Sequence, residues 1–347
     1  MIQSAPQQTA AGLQTRTVTD GPATGSWQEA LRNAIRTPRE LIETLELDPD
    51  RAPLLHGYDD DFPMLVPRSF AARMRRGDPD DPLLRQVLPD ERERLNVPGF
   101  EADPLQEQRY ARDGVVRKYS GRALLIAAGA CPVHCRYCFR RNFPYADQLA
   151  SRQSWSRAVD ALRGDTEVTE IILSGGDPLT LTNGAIGELI RTMETVASVQ
   201  TLRFHTRFPI IIPERVDAGL VDALAATRLR TVVVVHCNHA NEIDASVRRA
   251  LADLKAAGAQ LLNQSVLLKG VNDNEDDLAE LSKRLFDAGV LPYYLHLLDP
   301  VAGAAHFDVA PARGRALVAG LRRRLPGYLV PRLAREAPGE SSKTILA

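Results

Sequence analysis

Six short apolar runs, centred near Leu125, Ile172, Phe204, Val234, Leu262 and Leu295, limit most narrowly how this chain can fold. After the first gap they recur about every 30 residues, the length of a strand plus a returning helix. Helical patterns fill the gaps: Val159 to Leu162, Ile186 to Val196, Val216 to Ala225, Val247 to Leu254 ending near Gly258, and Leu278 to Phe286 ending near Gly289. Strands joined through helices run parallel. The pattern therefore predicts an α/β chain built as a partial, open (β/α)6 TIM-like barrel. A doubly wound Rossmann-type sheet shares the period, because period alone does not fix closure.

Each run ends in polar or glycine-rich residues: Gly129 to Cys138, Ser174-Gly-Gly-Asp177, His205-Thr-Arg207, His236-Cys-Asn-His239, Asn263-Gln-Ser265 and His296 to Asp299. In barrels of this kind the C-terminal strand ends build the active site. Loops are polar in any protein. His236 and Gln264, however, end apolar strands, where an unpartnered polar side chain costs about 1 to 3 kcal/mol.

The first cluster holds Cys131, Cys135 and Cys138, three of the four cysteines, within eight positions. Three thiolates spaced x3 then x2 can grip one face of a [4Fe-4S] cube, which four would close, leaving one iron open for chemistry. A structural zinc knuckle is the bland alternative. His134 directly precedes Cys135, which suits two ligands of one ion poorly, and no second Cys/His pair stands at finger spacing. Cys237, after the run Val232 to Val235, reads as a small core residue.

C-x3-C-x2-C with Tyr137 before the last cysteine resembles the signature of radical S-adenosylmethionine (SAM) enzymes, whose cluster chelates SAM through its open iron. Arg140 and Arg141 narrow the resemblance to the lysine 2,3-aminomutase family, and it covers roughly residues 60 to 347. It implies that Ser174, Gly175, Gly176 and Asp177 meet the amino group of SAM, and that His236 and Gln264 contact its adenosine. Taken alone, Lys343 is a solvated tail lysine. In Glu336-Ala-Pro-Gly-Glu-Ser-Ser-Lys343-Thr it resembles the family lysine that carries pyridoxal 5′-phosphate (PLP). Arg122 and Lys118 then match residues near the PLP phosphate, although the family has arginine where Lys118 stands. Arg140 matches the receiver of the substrate carboxylate. Asp299 and Glu336 match two carboxylates that hold the lysine ammonium, both aspartate in the family, and His296 replaces a family tyrosine. The short C-terminal end and Glu336 point to the branch that makes (R)-β-lysine from free L-lysine for modification of elongation factor P by a separate lysyl ligase. Reduced flavodoxin or ferredoxin is the implied electron donor.

Lys+Arg total 43 against Asp+Glu 44, so there is no basic excess for nucleic acid. No apolar run is long enough for a bilayer, and the expected location is cytoplasmic, where thiols stay reduced. Residues 1–25 read as a disordered tail, 26–114 as a helical N-terminal region, 115–330 as the barrel and 331–347 as the segment carrying the PLP lysine. Two rivals remain: another radical SAM enzyme, such as a methyltransferase, and a non-enzymatic iron-sulfur or zinc protein.

Overall fold

The computed structural model describes residues 26–48, 62–112, 114–144, 155, 159–160, 162, 164–340 and 342–347; the expected tail at 1–25 lies outside them. Ten strands form one sheet in chain order. They are β1 (Ala111–Arg112), β2 (Val115–Tyr119), β3 (Arg122–Ala128), β4 (Glu170–Gly175), β5 (Thr201–Thr206), β6 (Arg230–His236), β7 (Gln260–Val266), β8 (Leu291–His296), β9 (Arg332–Arg335) and β10 (Thr344–Ile345). From β3 to β9 every neighbouring pair is parallel. Antiparallel pairs flank them at both ends. No pair joins β1 to β10 among the described residues, so the sheet is an open partial barrel.

The six expected parallel strands are β3 to β8, and a seventh, β9, extends them. Its sequence, Arg-Leu-Ala-Arg, buries only Leu333 and Ala334, too short a signal for a β-propensity pattern to register.

Successive side chains of a strand point to opposite faces. On the outer face Leu125, Ile171, Leu173, Leu202, Phe204, Val233, Val235 and Leu261 join one apolar core with the surrounding helices. Helix Asn183–Glu194 contributes Ile186, Leu189, Ile190 and Met193 at helical spacing, and helix Ala245–Ala256 contributes Val247, Leu251 and Leu254. Side-chain caps begin each of them: Thr182 accepts from Ala185 N, and Asp244 from Val247 N. The inner face of the same strands carries Arg203 and His205 on β5, His236 on β6, Gln264 on β7 and His296 on β8. In register, His236 is opposite Gln264, and Val266 is opposite His296.

Helices Trp27–Arg32 and Pro38–Thr44 add Trp27, Leu41 and Ile42 to the same core, and Ile35, in the connection between them, joins it. Thr37 caps the second by accepting from Glu40 N, while the Glu40 carboxylate turns to Arg68. Trp27 packs edge-on against Phe208 at 5.6 Å. No helix among the described residues is long and apolar enough to cross a membrane.

Candidate active site

The cysteine loop leaves the end of β3 and is zipped to the end of β4. Gly176 N donates to Ala128 O at 2.7 Å, and Asp177 N to Ala130 O at 2.8 Å. Gly175 sits at φ +113°, and a Cβ on Gly175 or Gly176 would lie 2.4 Å from Ala128 O or Ala130 O respectively. The close approach these glycines permit is therefore to the cysteine loop itself. On its far side the loop is tied to the N-terminal region, where Glu93 takes Arg136 Nε at 2.8 Å and Arg141 Nη2 at 3.0 Å.

Burial, with Cys138 and Asp177 close by, pushes the Cys131 thiol well up. Burial and Cys135 push Cys138 up to about 11. Two buried thiols raised in this way are costly to ionise together unless a multivalent cation offsets the charge. Among the described residues no three His, Cys, Asp or Glu side chains are gathered as ligands of one ion. Cys237 lies in the apolar core, its Sγ donating to His239 O at 3.4 Å.

Asp177 is an internal hub. Its carboxylate accepts from Leu179 N at 3.0 Å, Thr206 Oγ1 at 2.8 Å, Arg207 N at 2.7 Å and Phe208 N at 3.3 Å. Through these bonds Asp177 braces the glycine turn against the end of β5. Burial raises its pKa to about 6 against those hydrogen bonds. Asp177→Asn turns an N–H₂ toward groups that all donate, so about 1 to 3 kcal/mol of stability should be lost. Thermal unfolding checks this, and an unchanged melting temperature would remove Asp177 as the brace between β4 and β5.

Arg140 is buried beside the same turn, its Nη1 donating to Ser174 Oγ at 2.9 Å and Gly175 O at 3.1 Å. Its bidentate face is taken by Glu107, Nε to Oε2 at 2.7 Å and Nη2 to Oε1 at 3.0 Å. Glu107 was not among the expected site residues. It sits in an aperiodic stretch, and no sequence signal couples it to an arginine 33 positions on.

The inner face is lined by neutral histidines. Burial, with the charge of Arg207, lowers His236 to about 3, and burial with Lys343 lowers His296 to about 3. His205 lies well below its ordinary value, through burial first and then Arg203, Lys343 and Arg140. The Nε2 atoms of His205 and His236 are buried with no hydrogen-bond partner among the described residues. Orphaned polar atoms on the face where a ligand was expected suit a bound polar molecule. His205 was expected only as part of a polar strand end; its alternation with Arg203 on one strand face is the signal that marks it.

The C-terminal segment reaches this face. β10 pairs antiparallel with β9, Thr344 opposite Arg335, which carries Lys343 back toward Glu336. Lys343 Nζ meets Glu336 Oε2 at 2.6 Å, both side chains mostly buried. A partly buried primary amine is the group that a carbonyl cofactor requires, and Arg122, at the start of β3, is a cation suited to an anionic tail. Asp299 lies in the loop after β8, partly buried. Lys118 stands on β2, and its side chain is outside the described part.

A family model described as a 4Fe-4S single cluster domain matches residues 119–208, the stretch holding the cysteine loop. The chain is 46% identical over 327 residues to an L-lysine 2,3-aminomutase of Escherichia coli (strain K12), covering 94% of this chain and 95% of that one. An L-lysine 2,3-aminomutase of Haemophilus influenzae is 43% identical over 93% of this chain and 96% of its own. That of Clostridium subterminale is 31% identical over 92% of this chain and 77% of its own. Among solved structures, a radical SAM methyltransferase from Sphaerobacter thermophilus covers 64% of this chain and 68% of its own, at 18% identity and a TM-score of 0.45. With relatives matched almost end to end at this identity, the chain belongs to the lysine 2,3-aminomutase family.

Proposed function

We propose that this protein is a radical SAM, PLP-dependent aminomutase that converts (S)-α-lysine to (R)-β-lysine. The observation that carries the reading is the placement of Lys343. A lysine four residues from the end of the sequence is folded back by β10 beside Glu336, electrostatically coupled to His205 and His296 on the inner barrel face. Cys131, Cys135 and Cys138 would hold the cluster, and Lys343 the PLP, with Arg122 and Lys118 toward its phosphate. The turn Ser174 to Asp177, with His236 and Gln264, would seat SAM. Bound there, the cluster and SAM supply one-electron initiation, and PLP supplies the conjugated carbonyl through which nitrogen migrates.

The chain itself contributes placement and exclusion of water. Neutral His236 and His296 can accept hydrogen bonds without adding positive charge to the cavity. Glu107 holds the Arg140 guanidinium in one orientation, so a substrate carboxylate meets the arginine at its edge or displaces Glu107. Glu336 already receives one ammonium, that of Lys343, which stands in for the substrate ammonium the reading assigns to Glu336 and Asp299. The reading includes elongation factor P as the destination of β-lysine, on the resemblance at Glu336, and reduced flavodoxin or ferredoxin as donor.

Anaerobic incubation with L-lysine, SAM, PLP and a reductant, followed by chiral product analysis, should give β-lysine. Cluster-replete protein that cleaves SAM yet forms none would sink the aminomutase reading and favour another radical SAM activity. Asp299→Asn and Glu336→Gln each remove one opposite charge from a largely desolvated ammonium site, a change that costs about 2 to 5 kcal/mol. Thus kcat/KM for lysine should drop at least roughly tenfold. Amide variants that turn over lysine within about twofold of the parent, a shift under about 0.5 kcal/mol, would move the substrate ammonium elsewhere.

A further inference from the structure

Arg207, immediately after β5, is buried, and its guanidinium faces the cysteine loop. Nη1 donates to Cys135 Sγ at 2.6 Å and to Tyr137 Oη at 2.7 Å. Nη2 donates to Gln86 Oε1 at 2.7 Å and Glu242 Oε2 at 3.1 Å. These partners are themselves fixed. Glu242 Oε1 takes the backbone N–H groups of Asn238 and His239, each at 3.0 Å, and Gln86 Nε2 at 3.1 Å. Asn238 Nδ2 donates to Tyr137 Oη at 2.6 Å. The N-terminal region, the cysteine loop and the loop after β6 thus all meet on one guanidinium, whose backbone N–H is anchored by Asp177 at 2.7 Å. The aim of Nη1 at sulfur is built by the fold.

Iron-sulfur potentials are set by net charge and by hydrogen bonds to the sulfurs. An N–H···S bond from a cation stabilises the more negative, reduced cluster over the oxidised one. Glu242 on the other side of the guanidinium offsets part of that field.

We propose that Arg207 is a positioning residue that raises the reduction potential of the cluster held by Cys131, Cys135 and Cys138, and that Glu242 limits the effect. The proposal rests on the cluster reading above. One electron enters from an external reductant, taking the cluster from its 2+ to its 1+ state. No proton is exchanged, because Arg207 is a cation in both.

The test is an anaerobic titration of the reconstituted full chain with dithionite, followed by the electron paramagnetic resonance of the 1+ cluster, with iron and sulfide measured on the same samples. At the potential that half-reduces the parent, Arg207→Gln should lower the reduced-to-oxidised ratio about tenfold, equivalent to about 59 mV for one electron. Arg207→Lys should fall between the two, since it keeps the charge and loses the planar fork. Glu242→Gln should raise the ratio. Opposite signs from two residues of one network are not what simple loosening of the loop would give. Cluster-replete Arg207→Gln with an unshifted titration overturns the proposal, as do shifts of the same sign in both variants. Should Arg207→Gln fail to retain iron, Glu242→Gln decides: a raised ratio supports the proposal and an unchanged one overturns it. A parent protein that binds no iron and sulfide would instead sink the cluster reading.

Discussion

Alanine at any one of Cys131, Cys135 or Cys138 should strip the protein of iron and sulfide on desalting and abolish SAM cleavage. With three protein ligands on a cluster that normally takes four, removing one leaves two anchors, and a cube attached at two corners exposes two irons to solvent and exchange. The three positions are not redundant. Cys135 is tied to Arg207, while burial first and then a neighbouring thiol raise Cys131, through Cys138, and Cys138, through Cys135, so no remaining thiol is spare. Cys237→Ala is the internal control. That side chain lies in the apolar core, and its loss costs about 1 kcal/mol of packing without touching iron content. Iron analysis of the four variants checks the assignment. Loss of iron in Cys237→Ala together with retention in any one of the other three would overturn it.

The barrel was legible because its strands have an apolar outer face against helices and mixed residues inside, so each advertises itself as a short β-prone run followed by a helix. Strand β9 lacks that advertisement, with one leucine and one alanine between two arginines. The cysteine loop was legible from spacing alone, but the purpose of Gly175 and Gly176 was not. Spacing says that a backbone comes close, and only the folded chain shows that it is the loop before Cys131. Asp177 illustrates the same limit. Its four donors come from β5 and from residues on both sides of it, about 30 positions apart in places, and a lone Asp-Pro in a sequence carries no sign of them. Glu107 and Gln86 lie in the proline-rich, aperiodic region before β1, where long-range partners leave no local pattern. Side-chain networks that join distant segments are what sequence reasoning misses here, and in this protein they converge on Arg140 and Arg207.

Lys343→Ala should separate two activities that a general loss of structure would remove together. On the proposed reading, SAM cleavage would depend on the cysteine loop and the inner strand ends. Lys343 comes from the C-terminal hairpin, placed there by the antiparallel register that sets Thr344 against Arg335 and so Lys343 against Glu336. The variant should retain iron, sulfide and reductive SAM cleavage. It should lose β-lysine formation and the absorbance of PLP that survives dialysis. Lys343→Arg distinguishes chemistry from packing. A guanidinium can keep the ion pair with Glu336, yet it stays protonated near neutral pH and offers no free amine to a carbonyl. If Lys343 acts by covalent attachment, Lys343→Arg fails as completely as Lys343→Ala, with PLP lost on dialysis in both. If the ion pair is what counts, Lys343→Arg restores product formation, and Glu336 rather than the amine becomes the reason the C-terminal strand folds back. Equal loss of SAM cleavage and β-lysine formation in folded, cluster-replete Lys343→Ala would likewise assign Lys343 to the architecture of the barrel mouth. The cofactor lysine would then have to be sought elsewhere in the chain.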